Sequence, residues 1–154
     1  MRIVTTIGLL LAMSAAAHAE TIFYGSRAGE EVTVTDKSNI DSADARITAR
    51  LTKANAIAYC REYVQKVTRK CVSDTMKTEL QPEITANCET GAFKTFYGQG
   101  YQFRGKNPDY DAAGTATEFL LVEADGKEPL DGSSASGYDV ALSQFKALCP
   151  NRVN

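Results

Sequence analysis

The chain has no tryptophan, and its one histidine is His18. With 4 prolines and 23% charged residues in 154, it is neither a proline-rich linker nor a disordered polyelectrolyte, and its length suits one domain. Lysine and arginine total 17 against 19 aspartates and glutamates, for a net charge of -2. No large basic field exists to hold nucleic acid or an anionic membrane. Hydrophobic residues reach 44%, which is enough for a globular core.

The longest apolar run is at the N-terminus. Met1-Arg2 gives a short positive start, Ile3 to Ala17 is mostly apolar, and Ala17-His18-Ala19 places small residues around a cut before Glu20. That order is the pattern of a secretory signal peptide. The run is too short to span a bilayer, and no basic stop-transfer cluster follows it. Cleavage after Ala19 leaves residues 20–154: 135 residues with charge -3, no histidine, and a periplasmic or secreted destination. A hydrolase of the serine–histidine or cysteine–histidine kind then has no base, and the commonest metal ligand is gone.

All four cysteines, Cys60, Cys71, Cys88 and Cys149, remain after cleavage. An even count in a small exported chain reads as two disulfides. Zinc sites favour closely spaced cysteine pairs, and none is present.

The first half of the chain favours long elements, because Glu30 to Gln81 holds neither glycine nor proline. Thr21–Tyr24, Glu31–Thr35 and Ala45–Leu51 read as strands, the last alternating Ala45, Ile47, Ala49 and Leu51 against polar neighbours. Thr52 is an N-cap for a helix. Ile57, Cys60, Val64, Val67 and Cys71 then follow at spacings of three and four, an apolar stripe that extends towards Leu80 before Pro82. One long helix over Lys53–Leu80 is expected, with a break between Thr68 and Thr75 as the alternative. If the helix is continuous, Cys60 and Cys71 stand about 16 Å apart and cannot bond. The favoured pairing is then Cys71–Cys88 with Cys60–Cys149. A break near Lys70 restores Cys60–Cys71 with Cys88–Cys149.

The second half is punctuated by glycine and reads as a meander of strands over Ile84–Cys88, Ala92–Tyr97, Tyr101–Arg104 and Thr117–Glu123. Glu128–Leu130 is a short return strand that Pro129 confines to an edge. A last helix covers Asp139–Leu148, with Ala141, Leu142, Phe145 and Leu148 inward. The expected fold class is α+β: a curved, mostly antiparallel sheet packed on one long helix and a short C-terminal helix, with two disulfides.

Five aromatics crowd one hairpin: Phe93, Phe96, Tyr97, Tyr101 and Phe103. Cross-strand packing accounts for most of them. The sharper reading is an aromatic platform for sugar or peptide, carried by Tyr97 and Tyr101 because tyrosine keeps a polar tip. Asn107 to Glu118 spaces its oxygen side chains like a calcium loop, but Ala112 stands where that turn needs glycine, and a solvated turn is expected. Arg61, Lys66, Arg69, Lys70 and Lys77 form a basic outer face. Ser133, Ser134 and Ser136 lack the spacing of a serine nucleophile.

Two resemblances bear on function. Tyr24-Gly25-Ser26-Arg27-Ala28-Gly29, Ala86-Asn87-Cys88-Glu89-Thr90-Gly91-Ala92-Phe93, Phe96-Tyr97-Gly98, and Asp131 to Tyr138 with Leu148-Cys149-Pro150 resemble a group of small exported envelope proteins of alphaproteobacteria. That likeness implies a compartment rather than an activity. Ser134-Ala135-Ser136-Gly137-Tyr138 resembles the serine–glycine loop of periplasmic C-type lysozyme inhibitors, in which the loop serine enters the lysozyme cleft. The family's following Trp-x-Lys-Gly is absent.

The expected function is a non-enzymatic binding or interaction module of the bacterial envelope, with no cofactor or metal and with an envelope protein or glycan as partner. Its candidate ligand residues are Tyr97, Tyr101, Ser134, Ser136 and Tyr138. A lysozyme inhibitor and a structural envelope-integrity protein are the alternatives.

Overall fold

The computed structural model describes residues 19–110, 116–126 and 128–153. Residues 1–18 of the expected signal segment 1–19, and the centre of the Asn107–Glu118 loop, residues 111–115, lie outside them. Seven strands follow one another across a single antiparallel sheet in sequence order: β1 Thr21–Phe23, β2 Glu31–Ser38, β3 Ala45–Arg50, β4 Glu83–Asn87, β5 Ala92–Lys94, β6 Gly100–Lys106 and β7 Phe119–Glu123. Helices α1 Lys53–Glu62 and α2 Arg69–Thr75 interrupt the meander between β3 and β4, and α3 Tyr138–Leu148 closes it.

Alternation sets the register. Ala45 pairs with Ala86 and Ile47 with Ile84. Ala86 pairs with Phe93, Phe93 with Tyr101, and Phe103 with Leu121, so one row after another of apolar side chains faces inward. Phe145 of α3 fills the concave side, its ring 4.5 Å from that of Phe103 and 5.0 Å from that of Phe93. Tyr138, Ala141 and Leu148 of α3 are buried beside it. Leu142, expected inward, is only partly buried, while Gln144 takes a fully buried place.

The expected return strand contracts to a bridge between Pro129 and Val122, with the Leu130 amide donating to the Leu121 carbonyl at 2.8 Å. Proline has no amide to offer a longer ladder.

The long helix is divided. Thr52 caps α1 as expected, its hydroxyl accepting from the Asn55 amide at 3.2 Å while Asn55 Oδ1 accepts from the Thr52 amide at 3.0 Å. The chain then leaves the helix at Tyr63, ahead of the anticipated Thr68–Thr75 interval. Gln65 adopts φ 57°, the Lys66 amide donates to the Cys60 carbonyl at 2.9 Å, and Thr68 caps α2 through the Cys71 amide. Val64 and Val67, expected on the buried stripe, are exposed.

The turn between the helices corrects the favoured disulfide pairing. It folds α2 back on α1 and brings Cys60 and Cys71 to a Cα separation of 6.1 Å, where they bond. Cys88 bonds to Cys149 at 5.5 Å, fastening the end of α3 to the end of β4. Neither Cys71–Cys88 nor Cys60–Cys149 forms.

No helix among the described residues is long and apolar enough to cross a membrane.

Candidate functional site

Four separate segments meet at one end of the concave sheet. The β1–β2 turn brings Tyr24, Gly25 and Ser26, and the β5–β6 turn brings Thr95, Tyr97 and Gln99, with Tyr101 following on β6. Ser134 to Gly137 and the first half of α3 complete the wall, enclosing an open cleft of about 390 Å³. Glu123, at the end of β7, stands on its rim.

The floor is held by Gln144, which is 1% exposed. Its Oε1 accepts from the Phe96 amide at 3.2 Å, and its Nε2 donates to the Phe23 carbonyl at 2.8 Å. One side chain thus satisfies two backbone groups from opposite sides of the cleft. A glutamine supplies an acceptor and a donor together, and the types of its two partners determine which way round the amide lies.

Of the five candidate ligand residues, Tyr97, Tyr101, Ser134 and Ser136 line this cleft. Tyr138 does not. Its ring is buried and its hydroxyl accepts from the Phe119 amide at 3.2 Å and donates to the Phe119 carbonyl at 3.0 Å, which pins α3 to β7. The two tyrosines of the expected platform play different parts. Tyr101 is 4% exposed and stacks on its cross-strand partner Phe93 at 5.4 Å, with its hydroxyl donating to Gln99 Oε1 at 3.1 Å. Tyr97 is 50% exposed and meets Tyr24 edge-on at 6.1 Å. Phe93, Phe96 and Phe103 are core residues, so the surface offered by the aromatic hairpin is the Tyr97 ring.

The phenols of Tyr24, Tyr97 and Tyr101 all ionise above the usual tyrosine range. Burial is the main cause in each. Glu30 adds to it at Tyr24 and Tyr97, and Glu123 at Tyr101; Tyr24 is pushed up to about 12. At neutral pH these are neutral hydroxyls able to donate and accept.

The serine run is a capped turn. Asp131 Oδ1 accepts from the Ser133 amide at 2.9 Å, and contacts with Ser133 and Ser136 hold its carboxyl below the usual range. Ser133 Oγ accepts from the Ser136 amide at 3.2 Å, and the Ser136 hydroxyl donates to the Ser133 carbonyl at 2.7 Å. Ser136 Oγ also accepts from the Tyr138 amide at 3.3 Å, so it is engaged in starting α3. Gly137, at φ 73°, makes the transition into the helix. In this geometry the loop that resembles the lysozyme-inhibitor serine loop presents Ser134 to solvent and spends Ser136 on its own turn.

Sequence reasoning missed Gln144, Thr95 and Tyr24. Gln144 falls on the α3 face that also carries Ala141 and Leu148, and that position was the available signal.

The basic residues do not gather on one helix face. Lys70 on α2 and Lys77 just beyond its end flank Asp74 at 2.5 and 3.0 Å, whereas Arg61 is on α1 and Lys66 on the intervening turn. A larger hollow of about 540 Å³ lies along the outer sheet face, where Ala92 and Gly100 leave room between Arg46, Lys94 and Arg104. Arg46 is already paired there with Glu83 at 3.0 Å.

Among the described residues no group of three acidic, histidine or cysteine side chains is arranged to hold a metal ion. Comparison with family models, curated proteins and solved structures found no match to this chain.

Proposed function

We propose that the protein is an exported, non-enzymatic binding module of the bacterial envelope that holds a glycan segment in the Tyr97 cleft. The observation that carries this reading is the half-exposed Tyr97 ring standing over a recess walled by hydroxyls, amides and one rim carboxylate. A flat aromatic face packs on the C–H surface of a sugar, while Gln99, Ser134 and Glu123 offer donors and acceptors for its hydroxyls. The signal-like N-terminus supports export, and two disulfides fit an oxidising compartment.

With no tryptophan in the chain, emission comes from its 7 tyrosines, of which Tyr24, Tyr97 and Tyr101 line the cleft. Titration with glycan oligomers prepared from envelope peptidoglycan is expected to saturate, and Tyr97→Ala to weaken binding at least tenfold while far-UV circular dichroism is unchanged. Absence of saturation, or equal binding by Tyr97→Ala, overturns the reading. The same preparation in a lysozyme lysis assay separates the inhibitor reading, which requires protection at micromolar protein. Detergent sensitivity of a deletion strain, with no glycan bound, would instead favour a structural role.

A further inference from the structure

A second recess of about 330 Å³ adjoins the first, with Tyr24 and Tyr97 lining both. Its other walls include Glu30, Tyr59, Asp74 and Thr78. Two glycines shape it. Gly29, at φ 77°, lets the β1–β2 turn sit directly on α1, since a Cβ there would fall 2.7 Å from the Tyr59 backbone. Gly25 leaves room for the Glu30 carboxylate to fold back, because a Cβ there would meet Glu30 Oε2 at 2.1 Å. The Glu30 side chain is therefore only 14% exposed.

This recess already has a cation at its mouth. The Arg27 guanidinium lies 5.1 Å above the Tyr63 ring, 3.5 Å from the Tyr59 hydroxyl and 3.8 Å from Glu30 Oε1. Tyr59, which lines the recess, stacks at 5.5 Å on Tyr63 just outside it. The Arg27 backbone amide donates to Glu30 Oε2 at 3.0 Å, but each guanidinium contact is long and the side chain is 54% exposed, so the guanidinium is weakly held. Asp74, by contrast, is matched by Lys70 and Lys77 on its own side. A half-buried carboxylate, stacked tyrosines and a phenolic hydroxyl are the groups that recognise a guanidinium.

We propose that this recess is a binding site for the guanidinium group of an arginine-bearing peptide, and that Arg27 is its built-in competitor, displaced when the ligand enters. The site does not depend on what the neighbouring cleft holds.

The test is a titration of the full chain with N-acetyl-argininamide, followed through the Tyr59 and Tyr63 ring resonances, with the neutral isostere N-acetyl-citrullinamide as control. Arg27→Ala removes the competitor and is expected to bind the probe roughly threefold more tightly than the parent, a factor set by a weak exposed cation–aromatic contact. Arg27→Gln, which keeps a polar side chain on the turn, is expected to do the same. Adding Glu30→Gln to either variant is expected to abolish the gain. The proposal is overturned if both Arg27 variants bind no more tightly than the parent, or if the citrulline probe binds as well as the arginine probe. The probe carries no sugar, so failure of glycan binding leaves this outcome intact, and failure here leaves the glycan reading intact.

Discussion

Replacing Gln144 should unfold the site before it disturbs the rest of the surface. Its amide is the buried partner of both the Phe96 amide and the Phe23 carbonyl, at 3.2 and 2.8 Å. Gln144→Leu keeps most of the volume but leaves the buried Phe96 amide and the part-buried Phe23 carbonyl without this partner. Each such group costs about 1–3 kcal/mol, and the gain in apolar burial offsets about 1 kcal/mol of the total. A net loss of about 3 kcal/mol is expected, which lowers the midpoint of thermal unfolding by roughly 10 °C for a domain of this size. Gln144→Glu gives a sharper test. A carboxylate can accept from Phe96 but cannot donate to Phe23 unless it is protonated, and burial raises its pKa. Because its folded pKa lies above the unfolded value, the variant is most stable below the unfolded pKa and loses stability as pH rises through the folded one. Urea unfolding of non-reduced protein, followed by tyrosine emission at pH 5 and pH 7, measures both effects. If Gln144→Leu stays within about 0.5 kcal/mol of the parent, below the cost of even one orphaned backbone group, or if Gln144→Glu shows no pH dependence beyond that of the parent, the two hydrogen bonds do not carry the load assigned to them.

Peptide mapping of non-reduced protein should recover Cys60 linked to Cys71 and Cys88 linked to Cys149. Loop-closure entropy makes the second bridge, which spans 61 residues against 11, the costlier one to lose, at about 4 against about 3 kcal/mol. Tyr24 should titrate near pH 12, above the usual tyrosine range, as a late phase in absorbance at 295 nm that Tyr24→Phe removes. Its folded pKa lies above the unfolded value, so stability is full below pH 10 and falls as pH rises towards 12, and Tyr24→Phe should flatten that slope.

Much of the fold was legible because a meander is a local topology: each strand pairs with the one before it, so reading successive alternating runs is almost the same as reading the sheet. The interval 63–68 was not legible. It contains no glycine and no proline, Gln65 takes a left-handed conformation that few residues other than glycine adopt, and Val64 and Val67 keep helical spacing while lying exposed. The stripe was a coincidence of composition beyond Cys60, and the disulfide pairing inherited the error. A continuous helix would hold Cys60 and Cys71 too far apart to bond, so their bridge requires the break.

The candidate site was legible in kind more than in arrangement. Tyr97 and Ser134 are 37 positions apart, and nothing in either segment announces the other. They meet because α3 crosses the concave face of the sheet and is fixed at three points: Tyr138 to Phe119, Gln144 to Phe23 and Phe96, and Cys149 to Cys88. Two of the anchors belong to residue types that read naturally as something else, a surface tyrosine and a solvated glutamine, while Cys149 read as a disulfide cysteine with Cys60 as its favoured partner. Tyr138 shows the cost of that ambiguity. Its hydroxyl suggested a ligand contact, yet it is consumed by both backbone groups of Phe119, and a buried phenol bonded in both directions has nothing left to offer a ligand. Tyr97, by contrast, keeps a half-exposed ring lining the cleft, and that difference rather than residue type makes it a candidate where Tyr138 is structural.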